Sequence, residues 1–419
     1  MNLAEIIKSF EQKNQSQKLD LTDELQNEKV EELANRLFLK ANSLEELRKI
    51  EKETIKLRNK YSFSTHLAVK ISLSKKILSE LKQGFHFTIV FAVYKEHNRI
   101  LTKQEHPNGE DFLIRKIKQL ENLTKDFPDI TWDMLVVDDG CPENSGKIAE
   151  KILKERYSGN NVKVLYLQDA IDKKLKVVEG LKTTDDSRKG GAIEYGMWYA
   201  AEKNIKNHII IYTDADLSTH LGQIGLLAEP IIKDGKYAAI ASRREDASVV
   251  LKPGTRNNRG KLFIYLWKRM IRRLNYITDT QCGFKAFRAE IVNKIILHNF
   301  EKKFAFDIEL LIKTDKFKRE SIAKVPIVWI DSEAESTTTD LQPYVDMLHS
   351  IADMYFKYLP ANSFSHSFAF FVKSLDQKKW EILVNHIPEG ILIKSAIHYD
   401  KYDEIKVSVF QNILEKNKY

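Results

Sequence analysis

The sequence of 419 residues has only two cysteines, Cys141 and Cys282. So few cysteines argue against a disulfide framework and fit a reducing cytoplasm. No run of roughly 18 apolar residues occurs, so we expect no transmembrane helix. The first residues also lack the continuous apolar core of a signal peptide. The composition, 43% hydrophobic and 30% charged, is that of a globular protein.

Proline and glycine are absent from residues 1–83. Leucine, isoleucine, glutamate and lysine dominate this region, and the helical spacing of its apolar residues predicts a helical N-terminal extension. Ser43, followed by Glu46, is typical of a capping box at a helix start. The extension could mediate homo-oligomerisation or dock the C-terminal tail, and its sequence does not choose between these roles.

From Gly84 onward, apolar runs of strand length alternate with helical patterns. Strands separated by helices imply an α/β fold with a mostly parallel sheet and helices on both faces. The predicted strands are 87–93, 134–139, 162–167, 208–212 and 237–242, and the predicted helices are 111–125, 145–156, 191–203 and 221–232. The pattern stops near Pro360. We therefore predict one domain over 84–360 and a small α/β or α+β tail over 361–419.

Acidic residues follow two of the predicted strands, where Asp138 and Asp139 end one run and Asp214 and Asp216 end another. Ligands of open α/β sheets bind beyond the carboxyl ends of the strands. Side chains two residues apart on a strand share a face, so Asp214 and Asp216 would form an oxygen half-site for Mg²⁺ or Mn²⁺. Such a cation could hold a nucleotide diphosphate as a leaving group. The alternative is a capped strand end with solvated carboxylates.

The positive charge of the chain is concentrated in one window. Residues 243–273 contain ten lysines or arginines and two acids, a net +8 that equals the formal charge of the whole chain. Residues 260–273 also have the pattern of a basic amphipathic helix with aromatic residues, which is typical of helices that lie on anionic membranes. The alternative is an ordinary packed helix with a solvated cationic face.

Eight segments together resemble the GT-A, family 2 glycosyltransferases, and within them the polyprenyl-phosphate (dolichyl-phosphate) glucosyltransferase branch. The resemblance runs over residues 85–353, and the run DTQCGFK together with TDAD makes it specific. The matching segments, in the family's order, are FTIVFAVYKEHNRI, MLVVDDG, RKGGAIEYG, YTDADLS, IASRRE, DTQCGFKAF, FAFDIELL and VPIVWID.

The resemblance implies sugar transfer from a nucleotide sugar, most simply UDP-glucose, with inversion at the anomeric carbon. A carboxylate suits the N–H of a base, and a flat ring suits an aromatic side chain. The donor site would consist of Ala92, Tyr94, Glu96, Asp138, Asp139, Lys189, Asp214, Ala215 and Asp216, with the metal on Asp214 and Asp216. Asp139 is alternatively a turn residue, and Lys189 a solvated loop residue.

The same resemblance implies an acceptor site and a catalytic base. Asp307 is the first candidate for the base and Glu309 the second, and the alternative is that one of them caps a helix. A lipid phosphate would be held by arginines that follow the Ser-Arg strand. The acceptor-side residues are Arg243, Arg256, Arg259, Gln281, Cys282 and Gly283. Cys282 also fits a small buried residue without chemistry.

The acceptor and the location stay open at this point. A lipid phosphate would place the enzyme at the inner face of the membrane as a peripheral protein, whereas a soluble glycan or small phosphorylated acceptor would leave it in the cytoplasm. A nucleotidyltransferase would need a glycine-rich loop after the first strand, and residues 94–99 contain no glycine. No nucleic-acid-binding motif surrounds the basic window, so we expect no nucleic-acid partner. The intact aspartates disfavour a catalytically silent scaffold.

Overall fold

A computed structural model describes residues 2–14, 19–251, 257–330, 343–401 and 404–417, without the side chains of Asn257, Asp400 and Lys401. The N-terminal region is helical, as predicted, and consists of α1 (Leu3–Lys13), α2 (Glu24–Lys40), α3 (Leu44–Lys56) and α4 (Phe63–Ser79). Side-chain oxygens start these helices because they accept hydrogen bonds from otherwise unpaired backbone N–H groups. Ser43 Oγ accepts from Glu46 N at 3.2 Å, which confirms the predicted start of α3.

A seven-stranded sheet forms the centre of the molecule. Its spatial order is β3-β2-β1-β4-β7-β5-β8, and every pairing is parallel except the two made by β7. The strands are β1 (Phe85–Val93), β2 (Ile130–Asp138), β3 (Val162–Tyr166), β4 (His208–Thr213), β5 (Ala238–Ser242), β6 (Val249–Leu251), β7 (Phe284–Arg288), β8 (Ile322–Pro326) and β9 (Val328–Ile330). Strands β6 and β9 pair separately. All five predicted strands are confirmed, and β6 to β9 were not predicted.

Helices cover both faces of this sheet, as expected for the α/β class. They are α5 (Phe112–Thr124), α6 (Ser145–Arg156), α7 (Leu167–Asp172), α8 (Gly190–Ala201), α9 (Ile224–Lys233), α10 (Asn257–Met270), α11 (Ala289–Ile296), α12 (Phe306–Phe317), α13 (Tyr344–Tyr358), α14 (Ser363–Lys373), α15 (Gln377–Asn385), α16 (Glu389–Ile393) and α17 (Val407–Lys416). The tail over 361–419, expected to be α/β or α+β, has helices but no strand in its described residues.

The two apolar layers on the sheet are filled by opposite ends of the chain. One layer combines residues of α1 to α5 and α9 with β1 and β4, and the other combines α8 and α10 to α15 with the reverse sides of the same strands. Helix α4 is the most deeply placed element of the N-terminal region, with almost every side chain from Thr65 to Leu78 buried. The N-terminal helices therefore pack as part of the main core.

Helix α10 is not the exposed amphipathic helix that the sequence suggested. Trp267, Lys268 and Arg269 are each 0% exposed. Lys268 Nζ donates to Asn275 O at 2.8 Å and to Thr278 Oγ1 at 3.2 Å, and Arg269 Nη2 donates to the carbonyl of Tyr399. The aromatic side chains of this helix and two of its cationic ones are thus in the core, whereas Arg259 and Arg272 are exposed. Within the described residues, no helix is both long enough and apolar enough to cross a bilayer.

The packing of α2 predicts that the N-terminal helices share the stability of the sheet. Leu37 is 0% exposed and Leu39, on the same helix, is 79% exposed. We expect Leu37→Ala to lower the free energy of unfolding by about 2 to 5 kcal/mol, because it leaves a cavity. Leu39→Ala is the control and should change it by less than about 0.5 kcal/mol. Chemical denaturation that shows an unchanged main transition in Leu37→Ala would mean that these helices unfold on their own.

Candidate active site

The acid pair lies at the carboxyl end of β4, as predicted. The backbone N–H of Asp214 donates to Gly283 O at 3.0 Å, and Asp216 Oδ1 accepts from Ser218 N at 3.0 Å. The side chains of Asp214 and Asp216 are 33% and 24% exposed. The backbone of Asp214 and the carboxylate of Asp216 are therefore held by hydrogen bonds, and both side chains remain partly accessible to solvent.

Each acid of the pair contacts a basic side chain. Lys189 Nζ forms an ion pair with Asp214 Oδ1, and Arg99 Nη2 lies 3.5 Å from Asp216 Oδ2. Burial raises the pKa of Asp214, but the Lys189 ammonium outweighs it, so the pKa of this carboxyl is lowered. Asp214 is thus ionised at neutral pH, and the site combines carboxylates with cationic groups that could hold an anion.

Arg99 is a site residue that the sequence did not single out. It is 6% exposed and bridges three carboxylates, with Nη1 at 3.1 Å from Glu96 Oε2 and Nε at 3.0 Å from Glu110 Oε1, besides Asp216. Burial is the largest influence on Glu96 and raises the pKa of its carboxyl to about 7 despite Arg99. In the sequence, the only sign of this role was an arginine in the loop after the first predicted strand. Glu96 therefore helps to orient Arg99.

Lys189 occupies a constrained loop between the acid pair and Asp139. Its φ is +85°, a value uncommon outside glycine, and such conformations are held by their surroundings. The backbone N–H groups of Arg188 and Gly191 both donate to Lys302 O, at 3.1 and 3.0 Å. This clamp fixes the loop so that the Lys189 backbone faces one acid and its ammonium faces another.

Asp139 has one carboxylate oxygen that is bonded and one that is not. Oδ2 accepts from Lys189 N at 2.7 Å, whereas Oδ1 is buried and lacks a hydrogen-bond partner among the described residues. Burial, with the nearby Asp138 charge, raises the pKa of Asp139 to about 6 in spite of hydrogen bonds from Ser187 and Lys189. A buried acceptor without a donor is costly unless a ligand supplies one. Tyr94 and Ala92, at the end of β1, are partly buried beside this edge.

Asp138 has a different environment from Asp139. Its Oδ1 accepts from Cys141 N at 2.8 Å and its Oδ2 accepts from Gly146 N at 2.7 Å. Both oxygens are therefore occupied in holding the loop that leads into α6. The donor-binding role predicted for Asp138 remains a prediction, and the described contacts of this residue are structural.

The run Gln281-Cys282-Gly283 lies directly under Asp214. A Cβ built on Gly283 would lie 2.2 Å from Asp214 Oδ1, so only glycine lets the backbone approach the carboxylate this closely. Cys282 is 0% exposed, and burial raises the pKa of its thiol to about 12, which fits the interpretation as a small buried residue. Gln281 Nε2 is buried and has no partner among the described residues. It is a donor that a ligand could use.

Asp307 and Glu309, the two candidates for the base, have contrasting partners. Asp307 is in the first turn of α12, whose N-cap is Ala305, so it does not cap the helix. It accepts from Lys285 Nζ at 2.9 Å, and burial raises its pKa to about 8 against the Lys189 charge. Glu309 accepts from the backbone N–H groups of 300 and 301, at 3.3 and 2.9 Å, and from Tyr358. Glu309 thus binds the backbone that precedes α12, whereas Asp307 binds the buried Lys285.

Of the three predicted acceptor arginines, the structure describes Arg243 and Arg259. Arg243 is bound by Asp279, whose two oxygens accept from its Nε at 2.8 Å and its Nη2 at 2.7 Å. Burial alone would raise the pKa of Asp279. The charge and hydrogen bonds of Arg243 have the larger combined effect, so the pKa of this carboxyl is lowered to about 2. Arg259 is exposed on the first turn of α10. Arg256 lies outside the described residues. Asp279 thus neutralises the arginine expected to hold a phosphate.

The acids at the edge are compatible with a divalent cation but do not complete a site alone. Within the ranges that the structure describes, no group of three or more His, Cys, Asp or Glu side chains could hold a metal ion. Asp214 and Asp216 supply carboxylate oxygens of the kind that Mg²⁺ and Mn²⁺ prefer, and such ions commonly take their remaining ligands from water and substrate phosphates. These two residues therefore fit a cation that binds together with a diphosphate.

Residues 100–296 match the family described as Glycosyl transferase family 2. This match supports a family 2 glycosyltransferase, and the mostly parallel sheet with helices on both faces fits the GT-A fold that the resemblance implies. The resemblance noted in the sequence is thereby confirmed, and the protein is a glycosyltransferase by class.

Among characterised proteins, the chain is similar to dolichyl-phosphate beta-glucosyltransferases. One from Trichomonas vaginalis is 24% identical over 60% of this chain and 68% of its own length. That of Saccharomyces cerevisiae is 26% identical over 47% of this chain and 57% of its own. The chain thus spans between about half and two thirds of these relatives.

Among solved structures, the chain is similar to glucosyl-3-phosphoglycerate synthase from Mycobacterium tuberculosis, determined with Mn²⁺ and UDP. The match covers 70% of this chain and 85% of the synthase chain, with 14% identity and a TM-score of 0.46. This likeness is too low to assign ligands or residue roles.

The contact between Gly283 and Asp214 predicts that a single methyl group disturbs the site. We expect Gly283→Ala to slow glycosyl transfer by at least about tenfold, because the carboxylate must move by more than an ångström. Gly260→Ala is the matched control, since its nearest neighbour, Arg244 Nη2, would lie 3.8 Å from the added Cβ. Equal transfer rates in the two variants would show that the position of Asp214 does not matter.

Proposed function

We propose that this protein transfers a hexose, most simply glucose, from a UDP-sugar to a polyprenyl phosphate with inversion, using Mg²⁺ or Mn²⁺. The observation that carries the proposal is the placement of Lys189. Its backbone N–H binds Asp139, and its ammonium binds Asp214. One residue thus connects a buried acceptor suited to a base with the acid pair suited to a diphosphate. When the nucleotide binds, the Lys189 ammonium would leave Asp214 and contact the nucleotide instead.

The donor nucleoside is held by complementary hydrogen bonding. Uracil carries an N–H that is acidic enough to pair well with a carboxylate, and the unpartnered Asp139 Oδ1 is a buried acceptor of that kind. Tyr94 and Ala92 supply an aromatic ring and a small side chain beside it. These contacts support UDP over nucleotides whose base offers no such N–H.

Transfer requires the departing diphosphate to be stabilised. When bound at Asp214 and Asp216, the divalent cation would neutralise negative charge on the leaving group. Lys189 and Arg99 contact the same acids and add positive charge whose position is already fixed. No solvent has to reorient around the leaving group to supply that charge. The acceptor oxygen forms a bond to the anomeric carbon as the bond from that carbon to the diphosphate oxygen breaks, and UDP leaves.

The names of the relatives support a lipid phosphate as acceptor, since several are dolichyl-phosphate beta-glucosyltransferases. A phosphate monoester has a second pKa of about 6 and is a ready nucleophile at neutral pH. Gln281 Nε2, buried and without a partner in the described structure, is a donor suited to a phosphate oxygen. Asp307 is suited to take the remaining proton when the phosphate arrives as a monoanion. A lipid acceptor would bring the enzyme to the membrane surface.

A donor and acceptor screen tests the proposal. Release of nucleoside diphosphate is measured from UDP-, GDP- and dTDP-sugars, with and without Mn²⁺, and with polyprenyl phosphate, a soluble glycan or 3-phosphoglycerate added. We expect UDP release that requires Mn²⁺ and is stimulated by polyprenyl phosphate. Asp214→Asn should lower the rate by at least about a hundredfold, while the exposed Asp353→Asn, 48% exposed, should not. Stimulation by a water-soluble acceptor alone would contradict the lipid assignment.

The pKa of Asp139 predicts a pH dependence of nucleoside binding. The carboxylate form accepts the uracil N–H, and burial raises its pKa to about 6. Affinity should therefore be full above that value and fall as the pH drops, by about tenfold between pH 7 and pH 5. Uridine, which has no phosphate to titrate, is the ligand to use, with binding followed by NMR. In Asp139→Asn the dependence should vanish. Uridine binding that stays constant across this range in the unaltered protein would refute the role.

A further inference from the structure

Lys285 is a fully buried lysine that the proposed reaction has not yet used. It is the second residue of β7 and lies opposite Tyr212 of β4 on one side and Ile240 of β5 on the other. Its exposed fraction is 0%. A lysine at the centre of a sheet is expensive to desolvate, so it requires a specific partner.

The partners of Lys285 are few and well defined. Nζ donates to Asp307 Oδ1 at 2.9 Å and to Cys282 O at 2.6 Å, and it lies 5.2 Å from the centre of the Tyr212 ring. Lys285 therefore connects the candidate base on α12 with the run beneath Asp214. The other charged or titratable groups around the pair are Lys189 before α8, Asp214 after β4, and Asp279 and Cys282 before β7.

We propose that Lys285 is the proton partner of Asp307, holding the proton that would otherwise neutralise this carboxyl group. This inference rests on the proposed role of Asp307 as the base. The proton moves from Asp307 to the lone pair of Lys285 Nζ, which leaves a carboxylate beside an ammonium. As the acceptor oxygen attacks the anomeric carbon, its own proton passes to Asp307. Lys285 is thus a positioning residue that acts through Asp307.

The environment of the pair supports this exchange. Burial pushes both groups toward their neutral forms, raising the pKa of Asp307 to about 8 and lowering that of Lys285 to about 7. Both groups are therefore able to hold or release a proton near neutral pH. Without a neighbour able to take that proton, Asp307 would be a neutral acid and could not act as a base.

A second buried ion pair shows what a structural lysine looks like in the same domain. Lys302 is 5% exposed and binds Glu194. Its Nζ also donates to Val177 O at 2.8 Å. This pair has the same chemical composition, a buried ammonium and a carboxylate, but it does not contact Asp307. It provides a matched control for the loss of a buried lysine.

The test is the pH profile of kcat/KM for the acceptor, measured with saturating donor and Mn²⁺. In Lys285→Met, Asp307 should keep its proton to higher pH, so the acidic limb should move up by about one pH unit or more. In Lys285→Arg the permanent charge should favour the carboxylate, so the limb should move down. Lys302→Met keeps the backbone carbonyl that clamps the Lys189 loop, so it should lower stability but leave the limb in place. The acceptor phosphate titrates equally in all variants, so only the differences between variants count.

The outcomes separate this inference from the proposed function. If Asp307→Asn keeps the full rate, then Asp307 is not the base and the proposed chemistry is wrong at that point. If Asp307→Asn is inactive but both Lys285 variants lose rate equally at every pH, Lys285 is merely structural and the inference is overturned. Opposite shifts in Lys285→Met and Lys285→Arg support it. Should Lys285→Met not fold, a downward shift in Lys285→Arg supports the inference and an unmoved limb refutes it.

Discussion

The site depends on one reversed strand. β7 runs antiparallel between β4 and β5, so its first residues lie at the edge where its neighbours end. In a wholly parallel sheet, that edge would hold only strand ends. The reversal brings residues 279–283 under Asp214, where the carbonyl of Gly283 accepts from the Asp214 backbone. It also carries Lys285 inward to Asp307 and places Asp279 against Arg243.

Charge balance around the acid pair follows from this arrangement. Asp214 and Asp216 each contact a basic side chain from a different loop, Lys189 before α8 and Arg99 after β1. Arg99 is itself fixed by Glu96 and Glu110. The cations are therefore oriented before any ligand arrives, and an incoming diphosphate would meet fixed charges rather than mobile ones. The strained backbone of Lys189 belongs to the same rigid frame.

Local patterns in the sequence were sufficient for much of the sheet. Buried apolar runs marked β1 to β5, and the acids at their ends marked the edge where ligands bind. The direction of β7 was not predictable, because a five-residue strand such as 284–288 carries no local signal of its orientation. The prediction for helix α10 was wrong for another reason. Lys268 and Arg269 were expected on an exposed face, but they are buried. Their hydrogen bonds go to carbonyls that only the tertiary structure brings near.

The distinction between Asp138 and Asp139 shows the same limit at a finer scale. The two acids are adjacent and have identical side chains, yet one caps a loop with both oxygens while the other keeps one oxygen unpaired. Which face each presents depends on the turn after β2 and on the position of the Lys189 loop, which is 50 residues away in the chain. Similarly, Lys285 belongs to the run DTQCGFKAF, but the sequence does not show that its side chain is buried. That depends on the pairing of β7 with β4, which places Lys285 opposite Tyr212.

Helix α4 has a consequence for how the chain matures. It is synthesised early, yet the surfaces that enclose it include α9 and the short strands β6 and β9, which follow more than a hundred residues later. Synthesis proceeds from the amino terminus, so in the nascent chain the apolar surface of α4 is formed before α9, β6 and β9 have been synthesised. Long-range contacts of this kind also slow folding. The part of α4 that faces α9, β6 and β9 therefore stays uncovered until those later elements have been synthesised.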